Sequence, residues 1–111
     1  MFLNLLKKKV EFLLENEDGC IDLVNQYDMS VYLDIVYENE GQYVILKPKE
    51  STVDDVLSLK AIHTADGIEV QIVKILGKDK IFYKKLCTVQ ECTELFHTFF
   101  NEHTIAIGER G

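Results

Sequence analysis

Residues 28–48 read DMSVYLDIVYENEGQYVILKP, and the period of the apolar residues in this stretch decides the fold. Met29, Val31, Leu33, Ile35 and Tyr37 alternate with Ser30, Asp34 and Glu38. Successive side chains of a strand point to opposite faces, so a period of two predicts a strand with one apolar face. Glu38-Asn39-Glu40-Gly41 then reads as a loop, and Tyr43 to Leu46 as a second apolar run. Two such runs joined by a short polar loop predict a β-hairpin. The second run is apolar on both faces, as expected of a central strand covered twice. Pro48, the only proline, lacks an amide donor and belongs at that strand's end.

Downstream, Ser51-Thr52-Val53-Asp54-Asp55 has the look of a capped single turn, and LSLKAIH (57–63) follows it. The turn Ala65-Asp66-Gly67 leads to the alternating IEVQIVKIL, and Gly77-Lys78-Asp79-Lys80 leads to IFYKKL. Strands joined by turns this short run antiparallel, because a parallel return needs a dozen or more residues. Thr88-Val89-Gln90-Glu91 is a capping box opening the last helix. At 100° per residue Val89, Cys92, Leu95, Phe96, Phe99, Phe100 and His103 fall on one side of it. That stripe is expected to pack on the sheet, and the tail TIAIGERG to add a short edge strand or fray.

Upstream, Leu3, Leu6, Val10 and Leu13 lie at a 3-4-3 spacing that predicts a helix over 2–15, ended by Asp18-Gly19. Residues 20–27 fit either a strand or a helical turn. The expected architecture is a single α+β domain over 1–111. It has an antiparallel meander sheet of about five strands, from 29 to 86, with an N-terminal and a C-terminal helix packed on it.

A chain of 111 residues is too short for two cores. Apolar residues at 47% and charged residues at 28% are ordinary for a soluble globular domain. No apolar run approaches the ~20 residues that span a bilayer. Lys7–Lys9 follow the first apolar residues, whereas a secretory signal has its charge first. Cys20, Cys87 and Cys92 cannot all pair, and an odd count fits free thiols in a reducing compartment. The expected location is cytoplasmic.

The net charge of -7 has one source. Glu11, Glu15, Glu17, Asp18, Asp22, Asp28, Asp34, Glu38 and Glu40 lie in a stretch without a single Lys or Arg. With 19 acids in all, the other ten face twelve bases, so the rest of the chain is close to neutral. The acids alternate with apolar residues, which predicts an acidic surface on a folded domain. This balance repels phosphate, and Lys7–Lys9 and Lys84–Lys85 are too short and too separated for a nucleic-acid track. Tyr27, Tyr32, Tyr37 and Tyr43 crowd the same region, and tyrosine beside carboxylates suits a protein interface. They serve equally well as amphipathic cover for a helix. The candidate docking residues are Asp28, Tyr32, Asp34, Glu38 and Glu40.

Catalytic and metal chemistry finds little support. Cys92 and His97 are five apart, so on a helix they point about 140° away from each other, and zinc ligands normally come in close pairs. An EF-hand register on Gly41 puts Val36 first and Lys47 last, and one on Gly19 puts Leu14 first and Asn25 last. Neither supplies the required oxygen ligands. The glycines stand singly, without a phosphate-binding run. Cys20 or Cys87 with His63, His97 or His103 are the possible nucleophile pairs, but no Gly-rich oxyanion turn marks them. His63 reads as a strand-end residue. No cofactor, metal site or catalytic residue is expected.

VYENEGQYVILKPKE, followed after a variable middle by LCTVQECTELFHTFFNE, resembles the small acidic YrzB-like family of bacterial proteins. The resemblance covers about residues 31–102, with Gly41, Tyr43, Val44, Leu46 and Pro48 as anchors. It departs in the N-terminal helix and in the hairpin IVKILGKDKIFY. It implies a strand, a Gly-led strand ending at Pro and a C-terminal amphipathic helix. It implies no catalytic residues and no activity, only a cytosolic bacterial accessory protein. The expected function is a non-enzymatic protein-binding module, monomeric or homodimeric, whose acidic surface meets a basic partner. An inhibitor, an immunity-type protein or a chaperone would fit. The competing expectation is a small enzyme or ligand-binding protein using a cleft that contains cysteine and histidine.

Overall fold

The computed structural model describes residues 10–23, 25–49 and 55–105. Its strands are β1 (Phe12–Asn16), β2 (Gly19–Leu23), β3 (Tyr43–Pro48), β4 (Val56–Thr64), β5 (Gly67–Leu76) and β6 (Asp79–Cys87). All pair antiparallel in one six-stranded sheet of order β2-β1-β3-β4-β5-β6. Helices α1 (Gln26–Glu38) and α2 (Val89–Glu102) complete an α+β fold.

The meander expected from 29 to 86 exists only from β3 onward, as four strands. Two segments differ from the sequence reading. Residues 12–16 are a strand, not the end of the helix expected over 2–15; residues 2–9 of that expected helix lie outside the described residues. Asp18-Gly19, which looked like a helix stop, instead turns a hairpin. Asn16 pairs with Gly19, Asn16 Oδ1 accepts the Asp18 N–H at 2.8 Å, and Gly19 takes φ 143°. That backbone angle favours glycine, which directly follows the two turn residues Glu17 and Asp18.

The second difference is larger. Residues 29–37 form the body of α1, so the expected hairpin with 43–46 does not exist, nor the strand that the family resemblance implied there. The deciding residue is Asn25. Its Oδ1 accepts the Asp28 N–H at 3.0 Å and caps the helix, as Asn does well. With the helix formed, Met29, Leu33 and Val36 turn inward together. α1 thereby carries the chain from the edge strand β2 back across the sheet to β3, packing on β2, β3 and β4 on the way.

Both helices cover one face of the sheet. Phe12, Leu14, Val44, Leu46, Val56, Leu59, Ala61, Val70 and Ile72 meet Met29, Leu33 and Val36 from α1 and Cys92, Phe96 and Phe99 from α2. A register shift between Val56 and Ser58 lets Val56 and Leu59 both point into this core, although three positions apart. Phe12 packs edge-on against Phe99, with ring centroids 5.3 Å apart. β3 lies inside the sheet and ends at Pro48, but it is not covered twice. Val44 and Leu46 are buried under the helices, while Tyr43 and Ile45 are half-buried on the opposite face.

The capping box opens α2 as its sequence predicts, with Thr88 Oγ1 accepting from the Glu91 N–H at 3.1 Å. Two members of the expected stripe fall outside it: Val89 is exposed, and His103 ends the helix exposed in the left-handed conformation. The turn over 51–54 and the tail beyond 105 lie outside the described residues.

Candidate functional site

The acidic stretch splits into two halves with different fates. In the β1–β2 hairpin the acids meet lysines from β3 and its end. Lys47 Nζ lies 2.8 Å from Glu15 Oε1, and Lys49 Nζ lies 3.3 Å from Asp22 and 3.8 Å from Glu11. The Glu15 carboxylate, through its hydrogen bond, raises the Lys47 ammonium above its ordinary value. Asp28, Asp34 and Glu38 on α1, and Glu40 in the loop after it, make no ion pair among the described residues. Glu17 and Asp18 in the β1–β2 turn are likewise without an ion pair among the described residues, so the hairpin is paired in part, whereas on α1 every acid lacks a described lysine partner.

That helix also leaves apolar groups outside. Tyr27 is 72% exposed, and Val31 and Ile35 are each 39% exposed. At 100° per residue, Tyr27, Val31, Asp34, Ile35 and Glu38 fall within an arc about 100° wide, with Asp28 at its margin. The result is a solvent-facing stripe of three apolar side chains interleaved with carboxylates. Of the five candidate docking residues, the structure brings Asp34 and Glu38 into this stripe and Asp28 to its edge. Glu40 is exposed in the following loop. Tyr32 is not in the stripe. It is turned toward the core and partly buried against it, because it falls beside Met29 and Val36 on the helix. Tyr27, Val31 and Ile35 were missing from the sequence-derived set. Their four-residue spacing was the signal, masked by reading the segment with a period of two.

The C-terminal end of α1 is held without a basic residue. Asn39 Nδ2 donates to the Ile35 carbonyl at 2.8 Å, and the His63 Nδ1–H donates to the Val36 carbonyl at 2.9 Å. His63 thus ties the helix end to β4, a role invisible at the sequence level. Glu38 at this negative end opposes the helix dipole and does nothing for the helix itself.

Between the helices runs a polar chain. Ser30 Oγ is 3.4 Å from His97 Nε2, His97 Nδ1 is 3.2 Å from Gln26 Oε1, and Asn101 Nδ2 donates to that same oxygen at 3.0 Å. The order of groups imitates a serine–histidine relay, but the chemistry does not follow. A neutral amide oxygen, already shared with Asn101, supports an imidazolium less well than the buried carboxylate of a catalytic triad. Ser30 also sits within a helix, where the surrounding N–H groups are committed to the backbone and cannot cradle an oxyanion. The chain latches α1 to α2.

The two buried cysteines are equally poor nucleophiles. Burial pushes the Cys92 thiol up to about 11, and burial also raises that of Cys87. A thiol held protonated is not the reactive form. Burial likewise raises the Tyr37 phenol, whose oxygen lies 2.7 Å from Thr93 Oγ1 beside Cys92. Cys20 is exposed on β2. Among the described residues no group of three or more His, Cys, Asp or Glu could hold a metal ion, and no helix is long and apolar enough to cross a membrane.

No family model, curated protein or solved structure matches this chain.

Proposed function

We propose that the protein is a cytosolic, non-enzymatic binding module that presents the outward stripe of α1 to a basic protein partner. The observation that supports this most is the stripe itself. Tyr27, Val31 and Ile35 stand exposed between Asp28, Asp34 and Glu38, and none of those acids is neutralised by a described lysine. An amphipathic helix face of this kind supplies apolar contact at positions i, i+4 and i+8, the spacing used in helix-mediated recognition. The unpaired carboxylates supply complementarity to a basic surface, which accelerates encounter and selects partners. The position of Glu38 adds weight, since a carboxylate there costs helix stability and is explained by an external role. An inhibitor, an immunity-type protein or a chaperone acting on a basic protein fits this surface. Such a role also agrees with what the YrzB-like resemblance implies.

The test is the double charge reversal Asp34→Lys with Glu38→Lys, set beside the apolar change Ile35→Ser. Each should unfold at nearly the wild-type temperature, because exposed substitutions usually stay within about 0.5 kcal/mol. Proteins captured by the wild type at 0.1 M salt should be lost by both variants. They should also be lost by the wild type at 1 M salt, where the screening length falls from ~10 Å to ~3 Å. Retention of every wild-type partner by both variants would reduce α1 to a solvated face.

A further inference from the structure

The opposite edge of the sheet has the reverse character. β6 pairs with β5 along its whole length, from Leu76↔Asp79 to Ile68↔Cys87, and among the described residues no strand lies beyond it. One side of a nine-residue backbone is therefore without a sheet partner, a ledge of roughly 30 Å at 3.3 Å per residue. Every residue of β6 is exposed except Ile81, which is half-buried, and Cys87 at its end. Phe82 is 69% exposed and Leu86 53%, with Leu76 and Tyr83 also open to solvent.

This edge is also the basic part of an acidic molecule. Lys74, Lys78, Lys80, Lys84 and Lys85 lie within twelve positions, where Asp79 is the only acid. Among the described residues Lys84 alone of these has an ion-pair partner, Glu69 at 3.5 Å. Lysines on an edge strand ordinarily protect it from indiscriminate pairing. Here they accompany three large exposed apolar side chains on the same strand, which protection by itself would leave out. Lysine and apolar residues together do not repel all strands; they discriminate among them. A second copy of β6 would lay two lysine-rich strands side by side, and like charges close across a strand pair are destabilising. An acidic strand would meet no such penalty.

We propose that the free edge of β6 takes up an acidic, extended peptide segment as an added strand. The backbone edge supplies the hydrogen bonds of strand addition. Lys80, Phe82, Lys84 and Leu86 share one face of β6, so the facing side of the segment presents carboxylates to Lys80 and Lys84 and apolar side chains to Phe82 and Leu86 in turn. The two-residue turn Gly77-Lys78 sets which amides are available. Such a turn is closed by a hydrogen-bonded pair, here Leu76 and Asp79, and pairs then alternate along the ladder. Lys80, Phe82, Lys84 and Leu86 consequently direct their N–H and C=O groups outward. This surface is separate from the α1 stripe and does not depend on the proposed function.

The experiment uses the full chain and two probe peptides of about ten residues, one repeating Glu-Thr-Val-Thr, which sets Glu and Val in turn along one strand face, and one repeating Lys-Thr-Val-Thr. The Glu peptide should bind, weaken about tenfold or more between 0.1 M and 1 M salt as charges are screened, and outcompete the Lys peptide. On binding, the amides of Lys80, Phe82, Lys84 and Leu86 should gain protection from hydrogen exchange, while their odd-numbered neighbours, already paired to β5, should change little. Lys80→Glu with Lys84→Glu should abolish binding of the Glu peptide, whereas Asp34→Lys with Glu38→Lys should leave it intact. The amide pattern is read on the wild type, so it stands even if the lysine variant folds poorly. Equal binding of both peptides, failure of the Glu peptide to bind, or protection confined to α1 would overturn the proposal. So would concentration-dependent self-association that protects these same four amides without peptide, since the occupant would then be a second copy.

Discussion

The two helices lie on the same face of the same sheet, yet they distribute their apolar residues differently. α2 buries Cys92, Phe96 and Phe99 and tucks Leu95 and Phe100 against the core, leaving only Val89 exposed among its large apolar side chains. α1 buries Met29, Leu33 and Val36 and still holds Tyr27, Val31 and Ile35 in solvent. A helix that only covers a sheet needs one apolar stripe. The second stripe on α1, and the carboxylates set into it, are the part of this molecule that folding does not account for. α2 is a core element, and α1 is a core element with an outward face.

The largest expected effects test whether the inner faces are equivalent. Phe99→Ala should lower stability by about 3–5 kcal/mol and Leu33→Ala by about 2–5 kcal/mol, the range for large buried side chains. Denaturant titration reads both. A loss below about 1 kcal/mol for Leu33→Ala would mean that α1 is not seated in the core, and the comparison would collapse.

The seam between the helices supplies the next test. The native Cys92 thiol ionises only near a pH of about 11, against 9.0 for an ordinary thiol, because burial disfavours the thiolate. As pH rises from about 9 toward 11 the unfolded chain releases this proton while the native state keeps it. Stability should therefore fall across that window, with the raised Tyr37 phenol acting in the same direction. Cys92→Ala should flatten the alkaline slope of thermal unfolding. An unchanged slope would place that thiol in water.

The smallest effect concerns the caps. Thr88→Ala on α2 and Asn25→Ala on α1 should each cost about 1 kcal/mol. If Asn25→Ala is silent while Thr88→Ala is not, the N-terminus of α1 is held by the Gln26–His97–Asn101 latch and not by its cap.

The difference between the helices also explains what could be read in advance. α2 is flanked by a capping box and has a stripe that fits only one period, so its limits and buried face follow from local chemistry. The hairpin from β5 to β6 is as legible, because Gly77-Lys78 sits between alternating runs. α1 is not, because Met29, Leu33 and Tyr37 satisfy a period of two and of 3.6 alike. The β-branched Val31, Ile35 and Val36 tilt the local preference toward a strand. Asn25 followed three residues later by Asp28 was a helix signal, beside the four-residue spacing of Tyr27, Val31 and Ile35. In the docking set, Asp34 and Glu38 were recoverable from charge alone, whereas Tyr32 was misplaced because its direction depends on which period wins.

The sequence by itself determined the class of the fold, the β3 to β6 meander, α2 and the acidic balance. Each of these rests on turn glycines, caps or unambiguous periodicity acting over a few residues. Only the tertiary structure decided that 12–16 is a strand and 26–38 a helix. β1 occupies the place beside β3 that the expected hairpin partner would have taken, with Phe12 opposite Pro48 and Leu14 opposite Leu46. With that edge filled, the ambiguous segment buries most apolar surface by crossing the sheet as a helix. Tertiary structure likewise decided where the charge stands. Lys47 and Lys49 reach across from β3 and its end to pair with Glu11, Glu15 and Asp22 at the β1–β2 hairpin, while the acids of α1 stay without a lysine and β6 stays basic, because ion pairs form between residues distant in sequence.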